Sequence, residues 1–216
     1  MYKQLKCLLA AGLFVGMTTS AAAGDKEVLY HMIFEAKSMS SSYVQTVFSP
    51  EDKILQELKG DLYLLRPNYF RMDTMDPDAS TVVADGTNVY SYDEMLEQVT
   101  IYSFNQQVAN SPLMLIISDD SELWGNYDVM RSSEDTFTVM PKELGSNNIK
   151  SMSLTFNKGN IKRLKFIEND GKYSVYNFTP KKDVSLTAND FKYVIPEGIT
   201  VSQPKWLMLR PQHLRQ

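Results

Sequence analysis

The sequence predicts a mainly β protein built on one long antiparallel sheet that curls on itself. About eleven short segments alternate apolar and polar residues, which is the two-residue period of half-buried strands. Turn residues separate these segments, for example Asp85-Gly86 and Asn169-Asp170-Gly171. Two helical stretches interrupt the series. An antiparallel sheet of that length usually curls or closes, because free edges promote aggregation.

The first element is a predicted amphipathic helix over residues 26–40. Its apolar positions recur at helical spacing: Val28, Leu29, Met32, Ile33, Ala36 and Met39. After the helix the period changes to two. Strands are predicted over residues 43–48, 54–65, 69–74, 81–84, 89–92 and 99–104.

A second helix is predicted over residues 111–118, where Ser111 suits the N-cap and Pro112 the first helical position. The segment is apolar on nearly every side, so the helix must be buried or must contact an apolar partner. Met114 is its best candidate for ligand contact, because methionine adapts to varied apolar surfaces. Strands resume over residues 127–131, 137–140, 149–156, 161–167 and 173–178, and a last strand, 191–194, leads into 199–201.

The amino-terminal residues 1–23 have the pattern of a cleaved secretory signal peptide. Lys3 and Lys6 precede an apolar run over 7–17, and the three alanines that end at Ala23 supply the cleavage site. That run is shorter than the roughly 20 residues that a bilayer span requires, although an uncleaved anchor is the alternative. Cleavage would leave one domain over 24–203 and a short basic tail over 204–216.

Removal of the signal peptide would also change the cysteine content and the net charge of the chain. Cys7 is the only cysteine, so the mature chain would have no disulfide and no acylated cysteine. The full chain carries a net charge of −4, and the two leader lysines would be removed with it, which gives −6. A general nucleic-acid binder needs a basic surface, so this charge argues against one.

Few residues suit catalysis or metal binding. The histidines are His31 and His213, and neither has a metal-binding spacing. The sequence contains no G-x-S-x-G elbow and no phosphate-binding G-x-x-x-x-G-K-[ST] loop. Paired acids such as Asp119-Asp120 lie in predicted loops, where solvation explains them. We therefore predict that the protein is not an enzyme and holds no metal or cofactor.

A turn between two predicted strands, Arg66-Pro67-Asn68, carries the most suggestive polar side chain. Arginine offers five donors in a rigid fork, so Arg66 could bind the free carbonyls at the end of a lid helix and hold that lid shut. A surface arginine at a turn is the simpler alternative. On the strand that follows, alternation puts Phe70 and Met72 on one face.

The order and spacing of several segments over nearly the whole mature chain resemble the outer-membrane lipoprotein carrier proteins of the LolA type. The segments are 44–48 (VQTVF), 60–71 (GDLYLLRPNYFR), 83–93 (VADGTNVYSYD), 96–100 (LEQVT), 111–116 (SPLMLI), 141–142 (PK) and 191–201 (FKYVIPEGITV). The resemblance implies an incomplete, half-open antiparallel β-barrel of about eleven strands, with helices that form a lid over an apolar cavity. We expect the protein's own side chains to leave that cavity unfilled.

The resemblance also implies roles for individual residues. Arg66 corresponds to the family's lid latch, and Phe70 to its inward aromatic used in lipoprotein transfer. The other lipid-binding positions are Met72, Val82, Tyr90, Met114 and Ile116. Met72 and Tyr90 stand where some members have larger aromatics, and the tail 204–216 has no clear counterpart in the family.

The implied function is that of a periplasmic chaperone in a Gram-negative bacterium. It would take acylated lipoproteins from an inner-membrane ABC-type release complex to an outer-membrane lipoprotein acceptor, as a monomer without a cofactor. The lack of an acylatable cysteine after the leader favours the carrier over the acceptor. The alternative is a lipid- or lipoprotein-sensing periplasmic regulator of the same fold, which usually has a second domain that this chain is too short to include. A lipid hydrolase is a third possibility.

Overall fold

The computed structural model describes residues 24–105, 115–118, 120–143 and 148–203. Helix α1 (Asp25–Glu35) comes first, and twelve strands follow in the described ranges. The strands are β1 (Ser38–Phe48), β2 (Ile54–Leu65), β3 (Tyr69–Asp76), β4 (Ser80–Asp85), β5 (Asn88–Asp93), β6 (Gln98–Ser103), β7 (Tyr127–Ser133), β8 (Thr136–Pro141), β9 (Ile149–Asn157), β10 (Asn160–Glu168), β11 (Tyr173–Pro180) and β12 (Thr200–Ser202).

All twelve strands form one sheet in the order β12-β6-β5-β4-β3-β2-β1-β11-β10-β9-β8-β7. Neighbours are antiparallel except that β12 pairs with β6 in parallel. Because β12 and β7 lie at opposite edges of this order, the described sheet stays open. The predicted fold class, a mainly β protein with an incomplete antiparallel barrel, is confirmed.

The register of the strands divides the sheet into two faces. Residues that lie opposite each other on antiparallel strands point to the same side, so Leu62, Met72 and Val82 share one face across β2, β3 and β4. We call this the interior face. It carries the main apolar core, to which Phe70, Leu164 and most other buried hydrophobic residues belong. The opposite side is the outer face.

The predicted end of the first helix is wrong. The helix ends at Glu35, and the residues from Ser38 onward are the start of β1, which pairs with β2 on one side and β11 on the other. The backbone N–H of Arg66 also donates to the carbonyl of Lys37 at 2.8 Å. Met39 therefore lies on a strand opposite Leu64, because pairing with β2 outweighs a helical pattern in a serine-rich segment.

The strand predicted over residues 191–194 is also wrong. Phe191 ends a 3₁₀ turn, Ala188–Phe191, whose start is fixed by Thr187: its backbone N–H and hydroxyl both donate to the Asp190 carboxylate, at 2.7 and 2.8 Å. Phe191 is fully buried, and its ring lies 5.6 Å from that of Tyr69. This segment covers the outer face of β3 and β4 instead of extending the sheet. The predicted signal peptide 1–23, the tail 204–216 and residues 111–114 lie outside the described residues.

Candidate functional site

The interior face of the sheet is the candidate site, because nearly every strand contributes a large apolar side chain to it. Leu62 and Leu64 of β2, Phe70 of β3 and Leu164 of β10 are each no more than 5% exposed. Phe178 of β11 lies beside them, opposite Tyr43 of β1. Strand alternation sends these residues inward and their polar neighbours outward, so the face is apolar over many strands.

Two pieces of chain cover this face. Helix α1 buries Leu29 and Ile33, and the segment 115–117 buries Leu115, Ile116 and Ile117. These five residues, which we call the cover residues, belong to the same apolar core as Phe70 and Leu62. The two pieces are not strands of the sheet, so they can leave it without breaking the strand ladder.

Polar contacts hold the start of α1 to the far edge of the sheet. Lys26 donates from Nζ to the carbonyl of Trp124 at 3.0 Å, and the Asp25 carboxylate accepts the backbone N–H of Arg131 at 2.8 Å. The ring of Tyr30 packs against that of Trp124, with 6.1 Å between centroids. The amino-terminal end of the helix is thus anchored near β7, and the other end lies over Arg66.

A small cavity of about 20 Å³ lies between the sheet and the cover. Its lining is wholly apolar: Met39, Leu62, Leu64, Phe70, Ile116, Ile117, Ile161, Leu164 and Phe178. One water molecule needs about 10–15 Å³, so this space has no room for an acyl chain. At this cavity, among the described residues that line it, the expected open interior is not seen, because Ile116 and Ile117 lie in its lining.

Arg66 joins both pieces of the cover to the sheet. Its Nε donates to the carbonyl of Ile116 at 3.2 Å, and its Nη1 donates to the carbonyl of Ala36, the residue that ends α1. Its guanidinium also lies over the Phe34 ring, 5.3 Å from the centroid. Burial lowers the pKa of Arg66 to about 10, so the side chain stays charged at neutral pH.

This contact satisfies backbone groups that a helix end leaves free. The last carbonyls of a helix have no partner within the helix, and a cation near that end is favoured by the helix dipole. The turn between β2 and β3 holds Arg66 at the end of a strand, directly beside Ala36 and Ile116. One side chain therefore bonds two segments that lie far apart in the sequence.

Residues 35–194 match the model of a protein family described as outer membrane lipoprotein carrier protein LolA. That range is well over half of the chain. The chain belongs to the LolA family. The resemblance stated from the sequence is confirmed.

Relatives in this family match the chain over nearly its full length. An outer-membrane lipoprotein carrier protein of Proteus mirabilis is 33% identical over 206 residues, which cover 95% of this chain and all of the relative. One from Actinobacillus pleuropneumoniae is 34% identical over 201 residues, which cover 92% of this chain and 93% of the relative. An uncharacterized conserved protein of Thermus thermophilus has a solved structure that shares the fold, with a TM-score of 0.50, 17% identity and coverage of 83% and 98% of the two chains.

The structure brings most of the predicted LolA-type site residues onto the interior face. Phe70 is 3% exposed and lies between Leu64 and Ala84 in the register. Met72 and Val82 lie opposite each other and are half-buried against the core. Ile116 is buried in the cover, while Met114 lies outside the described residues.

Tyr90 is the exception, and its predicted place in the lining is wrong. It lies opposite Val83, and Val83 neighbours Val82 on β4, so Tyr90 points to the outer face. There its hydroxyl donates to the Asp85 carboxylate at 3.1 Å, and its ring lies 5.3 Å from that of Tyr193. Burial raises the pKa of Tyr90. Tyr90 supports the covering segment on the outside of the sheet.

Sequence reasoning missed several residues of the lining. Met39 was assigned to the helix, and Ile161, Leu164 and Phe178 were not singled out among the strand residues. Alternation of β10 and β11 sends Leu164 and Phe178 to the same face as the core. Ile161 reaches that face through a β-bulge between Ile161 and Arg163, which alternation does not predict. The pairing of β1 with β11, which brings the two halves of the sheet together, could not be predicted from the sequence.

The rest of the described chain offers little other chemistry. Within the described ranges, no group of three or more histidine, cysteine, aspartate or glutamate side chains is placed to hold a metal ion. His31 is exposed on α1. Among these residues no helix combines the length and apolar composition of a membrane span.

Proposed function

We propose that this chain is a periplasmic carrier that shelters the acyl chains of lipoproteins between the interior face and the cover residues. The observation that supports this most directly is the all-apolar lining beneath a cover that one arginine joins to the sheet. A membrane lipid anchor needs such a surface to cross an aqueous compartment. The cover would move aside to admit the chain and return when the chain leaves.

The energetics suit binding that is firm but reversible. An acyl chain of about 14 methylenes gains roughly 11 kcal/mol on leaving water, at about 0.8 kcal/mol per methylene. Lipid would displace Leu115, Ile116 and Ile117, which are at most 3% exposed when the cover is closed. Exposing each of these side chains costs about 1.5–3 kcal/mol, so the three together would offset roughly half of that gain. The cover thus competes with lipid for the interior face, and transfer of the lipid to an acceptor of higher affinity lowers the free energy.

The proposed route begins with export under the signal peptide 1–23 and its removal. The domain 24–203 would then accept a lipoprotein from an inner-membrane ABC-type release complex and deliver it to a lipoprotein acceptor at the outer membrane. The mature chain would remain free in the periplasm, because its only cysteine precedes the cleavage site. Arg66 would act as the latch, and Phe70, Met72, Val82, Met114 and Ile116 would contact lipid. No step of this route requires the protein to cleave or form a covalent bond.

The test is native mass spectrometry of the protein isolated from the periplasm of cells that express it with its leader. We expect a fraction with the added mass of an acylated lipoprotein, and loss of that mass after incubation with outer-membrane vesicles that contain the acceptor. A variant with a charge in the lining, Phe70→Asp, should lose the bound fraction, while Tyr90→Phe on the outer face should keep it. Free fatty acid released during the incubation would indicate a hydrolase instead. If neither the wild-type protein nor the Arg66→Leu variant, which lacks the latch, ever carries lipid, the proposal is contradicted.

A further inference from the structure

One tyrosine on the interior face brings a polar group into apolar surroundings. Tyr176 of β11 lies two residues before Phe178, on the same face, and the two rings are stacked with 6.2 Å between centroids. Its other ring neighbours are Tyr43, at 5.9 Å, and Phe166, at 6.0 Å. Leu164 lies opposite it on β10. The ring of Tyr176 is therefore held beside the cavity beneath the cover, because Leu164 and Phe178 line that cavity.

The hydroxyl of Tyr176 has no hydrogen-bond partner among the described residues. The neighbouring tyrosine differs, since the Tyr43 hydroxyl bonds that of Thr74 at 2.8 Å. Tyr176 keeps some accessible surface, and its oxygen is not sealed, in contrast to the unpartnered oxygens of Ser40 and Ser41. A tyrosine in a protein core usually has a partner for its hydroxyl. Tyr176 therefore presents an unused donor that a ligand can reach.

Packing alone does not explain a tyrosine at this position. Phe166 and Phe178 contact the same ring and fill their own places on the face without a hydroxyl. A hydroxyl among apolar side chains is unfavourable when nothing bonds it, so phenylalanine would suit the empty protein at least as well as Tyr176. The hydroxyl becomes favourable when a ligand on the interior face accepts its hydrogen bond.

The surroundings of the hydroxyl favour a neutral acceptor. Burial raises the pKa of Tyr176 above its ordinary value, and the nearby Tyr43 phenol raises it further, so the group stays protonated and donates. The residues that stack on Tyr176 or lie opposite it are all uncharged: Tyr43, Gln45, Leu164, Phe166 and Phe178. A carboxylate without a cation is strongly unfavourable in such a place, whereas an ester or amide carbonyl accepts a hydrogen bond without charge.

Tyr176 also lies at a change of polarity along the interior face. Gln45 is opposite it on β1, and its Nε2 donates to the hydroxyl of Ser174 at 3.4 Å. In the other direction along β11, the next residue on this face is Phe178 of the cavity lining, about 7 Å away. A lipid chain that displaces the cover and contacts Phe178 would thus find its nearest polar groups on the side of Tyr176.

Building on the proposed carrier function, we propose that the hydroxyl of Tyr176 donates a hydrogen bond to an acyl carbonyl of the bound lipid. The carbonyl marks the polar end of the acyl chain, and the chain extends from it past Phe178 into the space beneath the cover. One fixed donor in an apolar surface thereby sets how deeply the chain enters. Ester and amide carbonyls belong to the lipid anchor, so this contact does not depend on the sequence of the cargo protein.

The test compares two ligands that differ only at the carbonyl. One is a synthetic diacylated lipopeptide, and the other is its dialkyl ether analogue, in which a methylene replaces each ester carbonyl. We expect wild type to bind the ester about three- to tenfold more tightly, the usual effect of one hydrogen bond. Tyr176→Phe should lose this preference by binding the ester more weakly, and its affinity for the ether should stay that of wild type.

Tyr173→Phe is the matched control for these titrations. Tyr173 lies on the same strand but on the other face, where its hydroxyl bonds the Asp52 carboxylate at 2.7 Å, so this variant should keep the ester preference. An infrared measurement gives an independent readout. The carbonyl band of an isotope-labelled ester should lie at lower frequency in the wild-type complex than in the Tyr176→Phe complex, because a donated hydrogen bond weakens the C=O bond.

The outcomes separate this inference from the function on which it rests. Equal affinity of wild type for ester and ether, or an ester preference that survives in Tyr176→Phe, would overturn the role of Tyr176 and leave the carrier function intact. An ester preference seen with lysophosphatidylglycerol and its ether analogue, but not with the lipopeptides, would assign the carbonyl to a phospholipid and overturn its place in cargo binding. Binding of neither lipopeptide would overturn the carrier function itself.

A stability measurement excludes a purely structural role for the hydroxyl. In urea, the unfolding midpoint of the empty Tyr176→Phe protein should equal or exceed that of wild type, because the lost group has no partner among the described residues. A lower midpoint, together with equal weakening of ester and ether binding, would show that the hydroxyl supports the fold and would overturn the proposal.

Discussion

Replacing Arg66 with leucine should open the cover, because this residue bonds both of its segments. The substitution removes the donors to the carbonyls of Ile116 and Ala36 and leaves those carbonyls partly buried without partners. Losing one partner of such a hydrogen bond costs about 1–3 kcal/mol. Two such bonds are lost, but the Arg66 side chain is only partly buried. We therefore expect the closed state to become about 2–4 kcal/mol less stable relative to the open state. At about 1.4 kcal/mol per factor of ten, the opening equilibrium should shift roughly 30- to 700-fold.

Amide hydrogen exchange measures that shift directly. Under conditions where closing is faster than exchange, the exchange rate of the α1 amides should rise by the same factor, while the amides of β1 and β2 should keep their protection. Arg66→Lys keeps the charge but loses the planar fork, so its effect should be intermediate. Lipopeptide should dissociate more slowly from Arg66→Leu, since a weaker cover competes less, and transfer to an acceptor should slow in parallel.

Arg71→Leu is the matched control. Arg71 lies on the outer face of β3, where its Nε bonds the Asp73 carboxylate at 2.7 Å, so its loss removes a bonded arginine of the sheet without touching the cover. The latch argument is refuted if α1 exchanges no faster in Arg66→Leu than in Arg71→Leu. It is also refuted if the β1 and β2 amides lose protection equally, because the substitution would then have loosened the whole fold.

Two further predictions concern the sheet. Gly60→Ala should lower the free energy of unfolding by about 2–4 kcal/mol in urea denaturation, because a Cβ at this position would lie 2.0 Å from the carbonyl oxygen of Asp73. Gly125→Ala is the control: a Cβ there would have no atom within 4 Å, so its free energy of unfolding should lie within about 1 kcal/mol of wild type. Equal stabilities of the two variants would contradict the close approach of β2 and β3 at Gly60. Val82→Asn should weaken lipopeptide binding at least tenfold, because it places an amide on the interior face. Tyr90→Phe should leave lipopeptide binding unchanged, since Tyr90 lies on the outer face. Weaker binding by Tyr90→Phe would indicate that Tyr90 contacts lipid after all.

The strands were predictable because alternation and turns act locally. Residues 54–65 were predicted as a strand with the bounds that β2 has in the structure, and most other strands differ from their predicted ranges by one or two residues at the ends. The start of β1 was not predictable in the same way. Met39 fits a helical spacing from Ala36 and also a strand face, and the pairing of Met39 with Leu64 on β2 decides between them.

The face of a strand is harder to predict than the strand itself. In β5, Tyr90 and Tyr92 alternate with Val89 and Ser91, and the two tyrosines carry the larger apolar surface. The expectation that Tyr90 faces inward fails because the outer face has an apolar partner of its own, the segment that contains Phe191 and Tyr193. That partner is about a hundred residues away in the sequence, so no local pattern indicates it.

The filled interior follows from the stability that the empty protein needs. An open cavity of about 300 Å³, the lower limit for most ligand pockets, would cost roughly 7 kcal/mol at about 24 cal/mol per Å³. That is comparable with the whole stability of a typical domain, about 5–15 kcal/mol. A cover that inserts Ile116 and Ile117 reduces this cost in the empty protein, and the cavity that these two described residues line is about 20 Å³. The same side chains then oppose lipid entry, so the stability of the empty state and the ease of cargo release have one physical origin. If Arg66 acts as the proposed latch, the strength of its contact sets the balance between them: a stronger latch would stabilise the empty protein and shorten the time that cargo stays bound.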